Sequence, residues 1–495
     1  MDGARDIFAI PLEDEAYLVY APLHGVAFAA TKGLVGALPG VLAGESSGDG
    51  VSRGDDGSRG DGVSAEDGGS REVGKGGEVG KGGGGGEENK GSVAAFAREA
   101  GLLRTPPSPV THRRGAPSPT EVTLFLTTAC NLRCTYCYAS AGDTPATYMT
   151  MEVAKRGIDF VIDNARRAGA PYAGVNYHGG GEPSVHWNLM TESLAYARER
   201  AGDLAVIAAS AGNGVFTDRQ IDWMIANLDG GMSLSFDGLP EVHDKHRPTA
   251  QGKRSSPRVM RTMKRFTEAD YPYAVRLTVT AEQIPLLPDS IEFILSNFTP
   301  KRVQVEPAYQ LGRHEGEPDA ETEDFIAAYR EAQLRAARFG HELIYSAARV
   351  GTLTNHFCGV TQDNFCLSPS GNVSACFEAF SEENEFADIF FYGSSGPGPD
   401  GYTFDMDALD RLRGLGVEHR SFCDGCFAKW NCAGDCYHKS LSANGRGEFA
   451  GSQRCHITRE LVKDQLLTRI ATSGGLIWRD GRDGEPCALH GGRDE

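Results

Sequence analysis

No stretch of the chain approaches the roughly 18 uninterrupted apolar residues that a membrane-crossing helix requires, and its opening, Met1-Asp2-Gly3-Ala4-Arg5-Asp6, lacks the basic start and apolar centre of a secretion signal. Positive charge is also short: 49 Lys and Arg against 67 Asp and Glu leave a formal net charge of -18. Such a surface repels nucleic acid and acidic membrane alike, which excludes broad electrostatic binding of either. These absences lead to the expectation of a cytoplasmic protein without a nucleic-acid or membrane partner. A cationic peptide would be welcome on this surface, although acidic charge serves solubility equally well.

What the chain has is length, core-forming residues and cysteine. Its 495 residues, 40% of them apolar, suffice for two or three domains. Twelve cysteines in a reducing compartment point to metal or redox chemistry rather than disulfides.

Residues 44–92 are dominated by Gly, Asp, Glu, Ser and Lys, with near-repeats such as Gly-Asp-Gly-Val-Ser and Val-Gly-Lys-Gly-Gly. Such a segment buries too little apolar surface to offset its ordering entropy and reads as a flexible linker. Residues 1–43 before it form a small module with a strand over 16–21 and a helix-like run over 27–35. It is either a cap on the main domain or, by a faint resemblance, part of a PqqD-like peptide-binding module.

From Glu121 onward, strand-like runs at 122–127, 173–177, 204–210, 232–236, 274–279 and 302–306 alternate with helical patterns such as Val153, Ile158, Val161 and Ile162. Six consecutive βα units imply a parallel sheet with right-handed crossovers, curled into a partial barrel. Reactive sites in such folds lie at the carboxyl ends of the strands. Directly after the first strand stand Cys130, Cys134 and Cys137, spaced CX3CX2C. Three such thiolates can ligate three irons of a [4Fe-4S] cube and leave the fourth iron open; zinc is the competing use of the same residues.

With Tyr138 following the third cysteine, this segment resembles the signature of the radical SAM superfamily. The resemblance implies an α/β fold: a partial (β/α)6 radical SAM barrel over residues 118–330. It also implies that the open iron chelates S-adenosylmethionine, whose cleavage gives a 5′-deoxyadenosyl radical. Gly180, Gly181, Glu182 and Pro183, after the second strand, would hold the methionine amino group. Ser210 and Asn213 after the third strand, Ser235 and Asp237 after the fourth, and Arg247 in His243-Asp244-Lys245-His246-Arg247 would face the cofactor, with turn-capping or salt-bridging as the structural alternative.

The later cysteines repeat the theme. Cys423, Cys426, Cys432 and Cys436 read CX2CX5CX3C, Cys358 and Cys376 read CX12GX4C through Gly371, and Cys455 follows. This is similar to the seven-cysteine SPASM pattern, placing such a domain at residues 350–460 ahead of a C-terminal helix and tail at 461–495. The family arrangement gives auxiliary cluster I Cys358, Cys366, Cys376 and Cys436, and cluster II Cys423, Cys426, Cys432 and Cys455. Cys366 has a second reading as a buried thiol, the whole array has one as zinc ribbons, and Cys487 is a bystander in the tail.

The resemblance implies three [4Fe-4S] clusters, a precursor peptide as substrate, a flavodoxin- or ferredoxin-type electron donor, and oxidation or cross-linking of a side chain. Formylglycine formation, as in anaerobic sulfatase maturation, is the alternative, but that relative has Asp where this chain has Phe377. Small-molecule modification is another alternative, and an iron-sulfur carrier or peptide-binding scaffold is the non-enzymatic one. Glu306 and Glu378 are the acidic candidates for proton transfer, Glu306 being equally suited to a cap or salt bridge.

Overall fold

The computed structural model describes residues 6–44, 86–396, 401–474 and 477–480, which fall into two compact units. The first comprises the described residues up to Ser108 together with 469–480; the second runs from Pro109 to Thr468.

In the first unit, β1 (Phe8–Pro11), β2 (Ala16–Ala21) and β3 (Val26–Thr31) form an antiparallel meander followed by α1 (Lys32–Gly44) and α2 (Gly86–Glu99). A C-terminal strand, Ile477–Arg479, pairs antiparallel with β3 and completes a four-stranded sheet. Val19, Phe28, Leu38 and Ala97 build its core, with Phe28 edge-on to Phe96 at 5.0 Å between ring centroids.

Two expectations are corrected here. The 27–35 run begins as strand, and helix starts only at Lys32. A turn over Pro22–His24, closed by Gly25 at φ 62°, folds the chain back on β2, and the six register pairs of that hairpin hold the alanine-rich segment extended. The expected linker also ends early, since residues 86–92 belong to α2; its other residues from 45 to 85 lie outside the described ones.

The second unit alternates β4 (Glu121–Leu124), α3 (Met151–Ala168), β5 (Tyr172–Tyr177), α4 (Trp187–Ala201), β6 (Ala205–Gly212), α5 (Asp218–Asn227) and β7 (Met232–Ser235). It continues through α6 (Pro240–His246), α7 (Ser256–Glu268), β8 (Tyr273–Val279), α8 (Leu287–Asn297), β9 (Arg302–Pro307), α9 (Thr322–Ala337) and β10 (Leu343–Ile344). Neighbours from β4 to β10 all pair in parallel, in sequence order. Beyond β4 the sheet extends through β11 (Cys366–Leu367), parallel to β4, and antiparallel β12 (Asn372–Ser374), β13 (Phe391–Ser395) and β14 (Tyr402–Phe404). Each expected barrel strand is present; the first stops at Leu124, where the chain leaves the barrel ladder for the cysteine loop.

The helix α3 shows why these elements form. Thr150 caps it by accepting the Val153 N–H, and Gly169 ends it at φ 62°. Ala154, Ile158, Val161 and Ala165 recur at helical spacing and are fully buried, each large one contributing about 1.5–3 kcal/mol. At the chain's end the helix Gln453–Thr472 runs across the expected boundary at 460/461, with Ile457, Leu461, Leu466 and Ile470 all buried along it. Among the described residues no helix is long and apolar enough to cross a membrane.

Candidate active site

A cavity of about 400 Å³ opens at the carboxyl ends of the barrel strands. Cys130, Cys134 and Cys137 line one part of it, and Cys358, Cys376 and Cys436 line another. Two cysteine groups more than 220 residues apart in sequence thus face one space, with β4 and β11 side by side in the sheet.

The cysteine loop is stitched to the next two strand ends. Gly181 and Glu182 donate their N–H groups to the carbonyls of Thr127 and Ala129 at 2.9 and 2.8 Å. So close is this approach that a Cβ on Gly181 would stand 2.1 Å from the Ala129 oxygen. The buried Glu182 carboxylate accepts the Asn213 N–H at 2.7 Å and the Ser184 N–H at 3.1 Å. Burial pushes its pKa up, against those hydrogen bonds. Asn213 in turn donates to Asn131 at 2.6 Å and reaches the Cys130 sulfur at 3.8 Å.

A buried polar group underlies the loop. Tyr136 donates to Asp237 at 2.5 Å and accepts from Arg247 at 3.0 Å. Arg247 Nε and Asp237 Oδ1 are buried without a hydrogen-bond partner. Burial pushes the Cys130 thiol up to about 11, with Glu182 adding to it, and the Cys134 thiol up to about 12 against the pull of Arg247. Metal-free, these groups are protonated thiols near neutral pH, so cluster assembly must release their protons.

On the other side, burial pushes Cys436 up to about 12, Glu378 adding to it, and raises Cys358 and Cys376. The three residues between Cys432 and Cys436 turn the chain through the left-handed region, with φ of 54° at Ala433, 80° at Gly434 and 61° at Asp435. Arg349 holds this turn to the Cys358 segment by donating to the carbonyls of Asn431, Phe357 and Cys432 at 3.1, 3.0 and 3.3 Å. Arg454 forks onto Asp435 at 2.7 and 3.1 Å and onto Glu306 at 3.0 Å. Cys423, Cys426, Cys432 and Cys455 line a separate small pocket with Phe422.

Among the described residues no three His, Cys, Asp or Glu side chains converge closely enough to hold a single metal ion. Thiolates are the donor set of iron-sulfur clusters, and the residues present at the first cysteine loop fit that chemistry.

The other sequence candidates divide. Tyr138, Gly180, Gly181, Glu182, Asn213, Ser235, Arg247 and Glu378 line the cavity. Ser210, Pro183 and Asp237 do not: Ser210 donates to the Tyr177 carbonyl at 3.2 Å, Pro183 opens a short helix, and Asp237 takes the Tyr136 hydroxyl. Glu306, expected to face the cavity or to form a salt bridge, is in a buried ion network. Burial works to raise its pKa, but Arg454 and Lys439 outweigh that and hold it far below the usual carboxylate range. Glu378 accepts the Tyr309 hydroxyl at 2.5 Å and stands 3.5 Å from His438. Burial opposes its charge, yet it is held low; since burial also pushes His438 down, Lys439 and the Tyr309 hydroxyl are its dependable partners. Cys366 is fully buried on β11, accepts from Asn364 at 3.1 Å and packs with Phe125 and Phe380. Cys487 lies outside the described residues.

Sequence reasoning missed His178, Arg276, Gln304, Tyr309 and Lys439, which also line the cavity. Arg276 had a signal: it alternates with Ala274 and Thr278 along β8 and so faces inward with them. Burial, then Arg276, pushes His178 down to about 4, leaving a neutral ring.

Residues 124–287, from the end of β4 through the start of α8, match the Radical SAM superfamily. These residues form a radical SAM domain. The chain is 26% identical over 281 residues to the mycofactocin maturase MftC of Mycolicibacterium smegmatis, a match covering 53% of this chain and 65% of that protein. It is 25% identical to the sporulation killing factor maturation protein SkfB of Bacillus subtilis, covering 35% and 39%, and 28% identical to the Fe-coproporphyrin III synthase of Methanosarcina barkeri, covering 36% and 41%. The chain thus spans between 39% and 65% of these curated relatives' lengths. Its fold is shared with anSMEcpe solved with bound AdoMet, at a TM-score of 0.58 and 16% identity, over 72% of this chain and 96% of that one.

Proposed function

We propose that this radical SAM enzyme is a peptide maturase. It would bind S-adenosylmethionine at the open iron of a [4Fe-4S] cluster on Cys130, Cys134 and Cys137, and oxidise or cross-link a side chain of a ribosomally made peptide. The observation that carries this reading is the single cavity walled by two separate cysteine groups. When bound, cofactor and cluster together supply a 5′-deoxyadenosyl radical able to take hydrogen from the substrate. Two auxiliary [4Fe-4S] clusters would be held by Cys358, Cys366, Cys376 and Cys436, and by Cys423, Cys426, Cys432 and Cys455; a flavodoxin- or ferredoxin-type protein would supply electrons.

The chain's own residues prepare the site. Gly180 and Gly181 bring backbone to the cavity edge without a Cβ, Glu182 and Asn213 lock that loop to the cysteine loop, and Arg247 places positive charge beside the thiolates. Tyr138 and Phe377 contribute aromatic wall, and Phe377, 40% exposed, packs on His178 at 5.0 Å between ring centroids. An apolar wall limits water around a radical.

Two of the relatives, a maturase and a maturation protein, support the peptide reading. The third, a coproporphyrin synthase, keeps small-molecule modification as the second reading. Formylglycine chemistry is disfavoured by Phe377. The faint PqqD-like resemblance makes the N-terminal unit the candidate for holding a peptide.

Anaerobic reconstitution tests the reading. The chain should hold about twelve irons and the Cys130→Ala, Cys134→Ala, Cys137→Ala variant about eight, at four per cube, with cleavage of S-adenosylmethionine only by the first. Zinc in place of the retained eight, or no loss of iron in the variant, would reject it.

A further inference from the structure

The cavity contains a cation that no described side chain pairs with directly. Ser235, Arg276 and Gln304 occupy one register row across β7, β8 and β9, and all three line the cavity. Among the described residues the Arg276 side chain makes no hydrogen bond or ion pair, while Glu182, Arg247, Glu378 and Lys439 of the cavity each make at least one such contact. Arg247 donates to Tyr136, and Lys439 lies 3.8 Å from Glu306 with its ammonium 4.4 Å from the centre of the Tyr309 ring. Glu182 accepts two backbone N–H groups, and Glu378 accepts the Tyr309 hydroxyl on one oxygen while its Oε2 is buried without a hydrogen-bond partner.

The two arginines serve different parts of the space. Arg247 acts chiefly on Cys134, Tyr136 and Asp237, within and beneath the first cysteine loop. Arg276 instead bears on Tyr138, His178, Glu306, Tyr309 and Glu378, across the cavity from the first cysteine loop to Glu378. A planar fork of donors exposed to a partly enclosed cavity matches a carboxylate, and such a charge-assisted pair is among the stronger polar contacts a site can make. It is also selective, since a substrate lacking the anion leaves the guanidinium desolvated and unpaired.

We propose that Arg276 receives an acidic side chain of the peptide substrate and thereby selects which segment is presented to the cavity. This rests on the peptide reading above and adds to it the charge of the substrate. It also runs against the molecule's surface, whose net charge of -18 would by itself favour a basic peptide.

The test uses the full chain, reconstituted anaerobically, immobilised and saturated with S-adenosylmethionine. A randomised library of short N-acetylated, C-amidated peptides is passed over the native protein and over Arg276→Gln, Arg276→Lys and Arg276→Glu, and the retained peptides are sequenced. Equilibrium dialysis of S-adenosylmethionine against each protein reports on folding and on the cofactor site. The expected result is enrichment of Asp or Glu at one position by the native protein, on the order of tenfold. It should be kept in part by Arg276→Lys, lost in Arg276→Gln and exchanged for Lys or Arg in Arg276→Glu, with cofactor affinity within about twofold throughout. Acidic enrichment that persists in Arg276→Gln, or peptides retained by the native protein with no acidic preference, would overturn the assignment while leaving the peptide reading in place. A drop of about tenfold or more in cofactor affinity with unchanged peptide selection would overturn it by giving Arg276 to the cofactor. No peptide retained by a native protein that binds the cofactor would overturn both.

Discussion

Asp244 shows how one carboxylate within a family-like segment can serve the fold alone. Its oxygens accept the backbone N–H groups of Ser255 and Ser256 at 2.9 and 2.8 Å, the Ser256 hydroxyl at 2.9 Å and Arg254 Nε at 2.7 Å, fastening the start of α7. Burial would raise its pKa, but these donors outweigh it and hold the group below its ordinary value. A depressed carboxyl stabilises the fold above its unfolded pKa of about 3.9 and loses that contribution as pH falls through the folded value. Asp244→Asn is therefore expected to cost about 1–3 kcal/mol at neutral pH, with the gap from the native protein closing as pH is lowered below about 4, measured by thermal unfolding across pH. At Gly181 the constraint is space. Gly181→Ala places a Cβ against the Ala129 carbonyl and should force apart the two loops that build the cofactor edge. Affinity for S-adenosylmethionine is expected to fall by about tenfold or more, on the order of 1.4 kcal/mol, in equilibrium dialysis.

At the scale of elements, the barrel depends on α3 lying close behind the strand that carries the cysteine loop. Gly157 makes this possible: a Cβ there would stand 2.3 Å from Leu367 and 3.3 Å from Val122, on β11 and β4. Gly157→Val should displace α3 from both strands and cost about 1–3 kcal/mol, seen as a lower midpoint of thermal unfolding. The long barrel elements were legible because their periodicity is repeated: two-residue alternation over 273–279 and helical spacing from Ala154 to Ala165 survive any local noise. By contrast β11, β12 and β14 are two or three residues long, too short to show a period, and only sheet pairing defines them. The 27–35 run failed for a related reason, since alanine suits either backbone and the hairpin with β2 decided.

For the whole molecule, all eleven described cysteines and every residue lining the large cavity belong to the second unit. The N-terminal sheet is finished by a strand from the far end of the chain, and Ile477 of that strand packs on its core. Ile477→Asp should detach this strand and raise amide exchange in β3 and α2, with iron content and cofactor affinity unchanged. Loss of iron in that variant would contradict the separation of the two units.

By itself the sequence determined the parallel barrel and its strand order and marked the cysteines proposed to ligate clusters, because periodicity and ligand spacing are local properties that survive without coordinates. Only the tertiary structure decided that Cys358, Cys376 and Cys436 face the same cavity as the first three, that Glu306 is held by Arg454 and Lys439, and that the Arg276 side chain makes no hydrogen bond or ion pair among the described residues. Each of these is a relation between side chains far apart in sequence, fixed by the register of neighbouring strands and by what else competes for the same charge.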